Sequence, residues 1–137
     1  PRVDFIRLEE RGRGRALKRA WAESEAAIVG YMDVDLSTGL DALPLLVRAI
    51  AQEGYDIAIG SRLARGARVV GRPLKREIIS RAYSLIVRTM FQTRFLDPQC
   101  GFKVLNRRTA HGVVGLVRDD GWFFDTELLV IAEKRRW

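Results

Sequence analysis

The chain has 137 residues, 47% of them hydrophobic, which suits one domain with a real core and argues against wholesale disorder. A single cysteine, Cys100, excludes an internal disulfide and fits a reducing compartment, and no apolar run is long enough to cross a membrane. The net charge of +7, carried mainly by arginine, calls for anionic partners such as nucleotides, nucleic acid or lipid headgroups, with a solvated arginine-rich surface as the plain alternative.

The chain opens on Pro1, so its natural start is expected upstream, and no signal-peptide pattern is visible. Residues 3–8 alternate apolar and polar side chains and read as a strand. A charged, glycine-rich loop follows. Its Gly12-x-Gly14 opens a helix through Ala22, where backbone N–H groups backed by Arg13, Arg15 and Lys18 suit an anion. A turn before a surface helix is the plainer reading, because the dinucleotide fingerprint is incomplete.

Residues 26–38 carry the chemistry. The apolar run Ala27-Ile28-Val29 reads as a buried parallel strand that ends in Asp33-Val34-Asp35. Alternation sends Asp33 and Asp35 to the same side, at the rim where ligands bind an open α/β sheet. Two hard oxygen donors there suit Mg²⁺ or Mn²⁺ on a substrate diphosphate. The competing reading is a solvated turn, with Asp35 or Ser37 capping the next helix.

That helix spans residues 40–52, with Leu43, Leu46, Val47 and Ile50 as its apolar face and Pro44 tolerated in the first turn. Residues 55–60 read as a second buried strand. Strand, helix and strand at this spacing make a βαβ unit with parallel strands, which brings Arg62 to the same rim as Asp33 and Asp35. After a glycine- and arginine-rich loop, residues 72–95 form a basic amphipathic helix. It suits an anionic membrane surface, or else packs into the core with solvated arginines. Arg76 and Ser80, four residues apart, share one face and can grip one phosphate. Asp97-Pro98 marks a turn before a strand at residues 102–105, with Gly101 permitting close backbone approach and Asp97, Gln99 and Lys103 nearby. A weaker helix covers residues 106–116, and His111 is read as surface or packing. A last helix begins near Asp125, a natural N-cap, with Glu127 in the first turn.

In order, the chain shows GRGRAL, YMDVDLS, AIGSR, RxxxS, DPQCGFK and WFFDTELL. This set resembles family 2 glycosyltransferases, in particular polyprenyl-phosphate glycosyltransferases of the dolichyl-phosphate β-glucosyltransferase and mannose synthase type. The resemblance implies a GT-A fold, an α/β domain with a mostly parallel sheet flanked by helices. Residues 1–137 would be a fragment of it, incomplete at both ends, with the first nucleotide-binding strand lying before Pro1. It also implies a nucleotide-sugar donor (UDP-glucose or GDP-mannose), Mg²⁺ or Mn²⁺, inversion at the anomeric carbon, and a polyprenyl phosphate acceptor, with the domain peripheral at the cytoplasmic face of a membrane or anchored by segments outside this chain.

By motif position, Asp33 and Asp35 resemble the metal pair. Asp35, Asp97 and Glu127 resemble catalytic residues. Arg62, Arg76, Ser80, Gln99, Lys103 and Asp125 resemble the substrate pocket, and Arg15 and Lys18 at the helix start are taken as cofactor-binding. Ser37 departs from the glutamine that often completes the metal motif in mannose synthases. A lipid phosphate is already an anionic nucleophile and needs no general base, whereas a relative acting on a sugar hydroxyl does. An arginine-rich nucleic-acid module is the alternative of another class. It finds no recognised motif and no aromatics interleaved with the arginines.

Overall fold

The apolar run at Phe102 becomes the middle of the sheet. The computed structural model describes residues 3–33, 38–67, 69, 71 and 73–137. In chain order the elements are α1 (Arg13–Glu23), β1 (Ile28–Met32), a 3-10 turn (Leu40–Ala42), α2 (Leu43–Ala51), β2 (Ile57–Ile59), α3 (Leu74–Phe91), β3 (Phe102–Asn106), α4 (Arg107–Val114) and α5 (Phe124–Lys134). Among the described residues the sheet has three strands in the order β1-β3-β2.

Both pairings are antiparallel, with Val29 opposite Leu105 and Ile57 opposite the same Leu105. The expected parallel pairing of β1 with β2 therefore does not occur here. The two strands do run in the same direction, but β3 lies between them and takes the hydrogen bonds of both. A β-α-β spacing fixes strand direction, and it cannot reveal that a strand some 45 residues later will insert. Residues 3–8 are also not a strand. Phe5 is 92% exposed, and among the described residues no ladder partner meets this segment, without which alternation does not make a strand.

The register sorts the two faces. Val29, Tyr31, Leu105, Ile57 and Ile59 face one side, where Trp21, Ala110, Val113, Phe124, Leu128 and Leu129 complete the core from α1, α4 and α5. Phe102, Val104, Ile28 and Met32 face an apolar cleft that Leu43 and Val47 of α2 share. β3 is thus covered on both sides, and Phe102 through Leu105 are all buried. Fully burying the apolar side chains of Phe102, Val104 and Leu105 stabilises by about 1.5–3 kcal/mol each.

Local chemistry sets the helix boundaries. Pro44 sits in the first turn of α2, and the Asn106 side chain caps α4 by accepting the Thr109 N–H at 2.8 Å. Asp119 Oδ1 takes the Phe124 N–H at 2.9 Å, so α5 is capped from Asp119 and Asp125 falls inside its first turn. Helix α3 differs from the rest. It buries Ser84 and Val87 but leaves Leu74, Ile78, Ile79, Leu85, Ile86 and Met90 exposed. Its amphipathic pattern is real, and its apolar arc points away from the domain. Among the described residues no helix is long and apolar enough to cross a membrane.

Candidate active site

The C-terminal ends of β1 and β2 and the start of the antiparallel β3 meet at one rim. Sheet polarity alone therefore brings together Asp33, Arg62 and the 97–101 turn. Asp33 N–H donates to Gly101 O at 2.8 Å, which extends the β1–β3 ladder by one residue. The Asp33 carboxylate then lies over Gly101. A Cβ at position 101 would fall 1.7 Å from Asp33 Oδ2, so only glycine leaves room for this carboxylate. The close approach that this glycine permits is made by a side chain of the chain itself. Asp35 and Ser37 lie outside the described residues.

Arg13, the first residue of α1, reaches into this rim. Its Nη2 donates to Asp33 Oδ1 at 2.8 Å, and its Nη1 lies 3.2 Å from Asp125 Oδ2. The guanidinium also sits 5.2 Å from the Tyr31 ring centroid and 5.3 Å from that of Trp122. Beneath it, the Lys103 ammonium is completely buried. It donates to Asp125 Oδ1 at 2.7 Å, to Tyr31 Oη at 3.0 Å, to Pro98 O at 3.0 Å and to Cys100 O. Tyr31 Oη in turn donates to Asp125. Burial pushes the Asp125 carboxyl up to about 7 against the pull of Arg13, and the same desolvation pulls Lys103 down to about 7. Lys103 opposes Tyr31 on the core face of the central strand, so its ammonium is spent inside the domain.

Arg62 and Asp97 form the second group. Asp97 is buried and accepts from Arg62 N–H at 3.0 Å, Nε at 2.9 Å and Nη2 at 2.8 Å, while Nη2 also reaches Gln99 O at 3.1 Å. This two-pronged contact raises the Arg62 pKa, chiefly through its hydrogen bond to Asp97. The Gln99 side chain donates to Thr126 Oγ1 at 2.8 Å, and Tyr83 Oη meets the same hydroxyl at 2.8 Å. Arg76 and Ser80 occupy the Tyr83 stripe of α3, four and three residues apart. A cleft of about 760 Å³ lies between the loop after β2 and the first turns of α3, lined by Arg62, Arg65, Leu74, Glu77, Arg81 and Leu96.

The remaining candidates are engaged elsewhere. Glu127 accepts the Arg118 N–H at 3.1 Å and the Asp119 N–H at 2.8 Å, clasping the turn before α5. Arg15 and Lys18 hold the Asp120 carboxylate at 3.2 and 2.7 Å, and the hydrogen bond from Lys18 leads the lowering of its pKa. Gly14 packs where a Cβ would lie 2.8 Å from Phe124, so the glycine loop is shaped by helix packing against residues 119–124. Arg13, read from the sequence as backing an anion at the helix start, turns instead to Asp33 and Asp125; Tyr31, Trp122, Thr126 and Tyr83 were not singled out as site residues from the sequence. Alternation through β1 does place Tyr31 on the side of Asp33, which was the one available signal.

The family model for glycosyl transferase family 2 matches residues 1–113. The chain belongs to this family. Family 2 membership carries the GT-A fold class, and the α/β arrangement above is a part of such a domain. The chain is 41% identical over 123 residues to the glycosyltransferase AglD of Haloferax volcanii, covering 90% of this chain and 20% of that protein. It is 33% identical over 109 residues to the dolichol-phosphate mannosyltransferase of Pyrococcus furiosus, covering 78% and 31%. It is 30% identical over 132 residues to the dolichyl-phosphate beta-glucosyltransferase of Drosophila melanogaster, covering 92% and 40%. The chain thus spans between a fifth and two fifths of the length of these family 2 relatives.

Proposed function

We propose that this chain is part of the GT-A catalytic domain of an inverting family 2 glycosyltransferase that moves a hexose from a nucleotide sugar to a polyprenyl phosphate. The observation that carries this reading is a juxtaposition. An arginine- and carboxylate-lined rim lies beside a helix whose apolar arc faces outward. A lipid phosphate needs both, a cationic site for its headgroup and an apolar surface for its chain. The relatives named for dolichyl phosphate and dolichol phosphate support the same acceptor class.

The residues bear on the reaction type. An acceptor phosphate oxygen attacks the anomeric carbon, the bond to the nucleoside diphosphate breaks, and configuration inverts. No proton has to be removed from the acceptor. That agrees with the state of the two carboxylates from which a base would be drawn, since Asp97 is saturated by Arg62 and Glu127 is committed to backbone N–H groups. This favours the phosphate acceptor over a sugar hydroxyl. Arg62 and the Arg76–Ser80 stripe are assigned to positioning phosphate groups.

Among the described residues no group of three metal-ligating side chains exists. Asp33 supplies one hard oxygen donor in a cradle shaped for it, which fits Mg²⁺ or Mn²⁺ completed by Asp35 and by substrate phosphates. When bound, the ion supplies neutralisation of charge on the leaving diphosphate. The arginines and the apolar arc of α3 suit docking at the cytoplasmic face of a membrane. UDP-glucose is the first expectation for the donor and GDP-mannose the second.

The test is transfer of labelled sugar from each donor to polyprenyl phosphate in detergent, with EDTA, Asp33→Asn and Asp35→Asn as controls. Metal-dependent label in the lipid, reduced about 10²–10³-fold in the variants, is expected. Label appearing only on an added sugar hydroxyl acceptor would replace this reading with the other.

A further inference from the structure

Arg13 occupies an unusual position for a cation. It lies between two carboxylates from opposite ends of the chain, Asp33 at the end of β1 and Asp125 in α5, with the Tyr31 and Trp122 rings beside it. Its side chain is only 17% exposed. Asp125 Oδ2 is buried and accepts no hydrogen bond, with Arg13 Nη1 3.2 Å away, while Asp125 Oδ1 takes the Lys103 ammonium at 2.7 Å. The guanidinium is therefore fixed by charge on two sides and by the aromatic rings. It also covers one oxygen of the carboxylate assigned to the metal pair.

We infer that Arg13 is a positioning residue and a charge gate on Asp33, so that a divalent ion binds this rim appreciably only together with a nucleoside diphosphate. The inference rests on the family 2 reading of Asp33. Its logic is electrostatic. A fixed positive charge in contact with a metal-ligating carboxylate opposes a second cation on that carboxylate, in a site only partly open to water. A diphosphate brings enough negative charge to offset the crowding of Arg13 and the ion. The Arg13–Asp125 contact keeps the gate in place, because Arg13 is held even when Asp33 turns to another partner. The gate restrains the ion from occupying the rim ahead of the donor.

The test is Mn²⁺ binding to the whole chain, followed by the electron paramagnetic resonance signal of free Mn²⁺, with no nucleotide, with UDP and with GDP. Near-UV circular dichroism verifies that each variant keeps its tertiary packing. In the wild type, Mn²⁺ affinity is expected to rise at least tenfold when the preferred diphosphate is present. Arg13→Gln is expected to bind Mn²⁺ alone about tenfold more tightly than wild type, with a smaller further gain from the diphosphate. Arg13→Lys keeps the charge but loses the fork. It is expected to stay within about threefold of wild type without nucleotide, and it carries the test if the glutamine variant loses its packing. Wild-type coupling to a diphosphate with an unchanged metal-alone affinity in Arg13→Gln would overturn the gate and leave the family 2 site standing. So would a tightening in Arg13→Lys equal to that in the glutamine variant. A wild type that takes up Mn²⁺ under none of the three conditions would overturn both.

Discussion

Helices α3 and α5 border the same rim and treat their side chains in opposite ways. Helix α5 buries Phe124, Asp125, Thr126, Leu128, Leu129 and Ala132, including a carboxylate that burial penalises. Helix α3 is the longer, yet it buries only Ser84 and Val87 while six large apolar side chains face outward. Composition does not explain this, since both helices carry ample apolar residues. What differs is the surface each meets. The core face of the sheet receives α5, whereas α3 is held along a narrow stripe through Tyr83, Ser84 and Val87. One helix is scaffold and site floor. The other presents a face that suits a lipid surface.

The sharpest way to break this contrast is to truncate one residue from each helix. Phe124→Ala is expected to cost about 3–5 kcal/mol in urea unfolding. A loss below about 1 kcal/mol would mean that α5 is not the floor described here. Comparable in size is the buried pair. Lys103→Met leaves Asp125 without its ammonium, and a loss of about 3–5 kcal/mol is expected. Lys103→Met combined with Asp125→Asn should recover much of that loss, because the uncompensated charge is gone. Equal destabilisation by the single and double variants would show that the pair is not coupled.

A smaller effect is pH-dependent. The Asp125 pKa is raised on folding, to about 7, so its contribution to stability is complete below the ordinary carboxyl range and is lost as pH rises through about 7. Melting temperatures of wild type and Asp125→Asn, taken from pH 4 to pH 8, should therefore diverge, with wild type losing ground as pH rises. Parallel curves would contradict the burial. The smallest expected change in stability belongs to α3. Leu85→Ser together with Met90→Ser should alter unfolding by less than about 0.5 kcal/mol per site, since both are exposed. Sedimentation with anionic vesicles should nevertheless fall several-fold. Unchanged vesicle binding would remove the lipid role from α3.

The elements were largely legible in the sequence, because periodicity, Pro44 and Asn106 mark local structure. Strand order was not. The pairing of β1 and β2 through β3 is a long-range choice that no local spacing encodes. At the rim, the types of residue were legible and their partners were not. Nothing in Gly12-Arg13-Gly14-Arg15 says that Arg13 turns inward to Asp33 while Arg15 turns to Asp120. Lys103 shows the limit most clearly. Alternation in Phe102-Lys103-Val104-Leu105 sets it opposite Phe102, which on an edge strand would be the wet side. β3 is central, so both sides are dry and the ammonium has to find its partners indoors.

The contacts of Arg15 and Lys18 with Asp120 join positions 105 and 102 residues apart. Closing so long a loop is costly in chain entropy and slow relative to forming the helices themselves. During synthesis, β1, α2, β2 and β3 are all made before residues 119–125 exist, and until then Arg13 has no Asp125 to brace it. The Arg13 side of the rim therefore matures only when α1 and α5 meet. A ribosome-stalled chain ending before α5 would carry its Asp33 and Arg62 and still lack an assembled site.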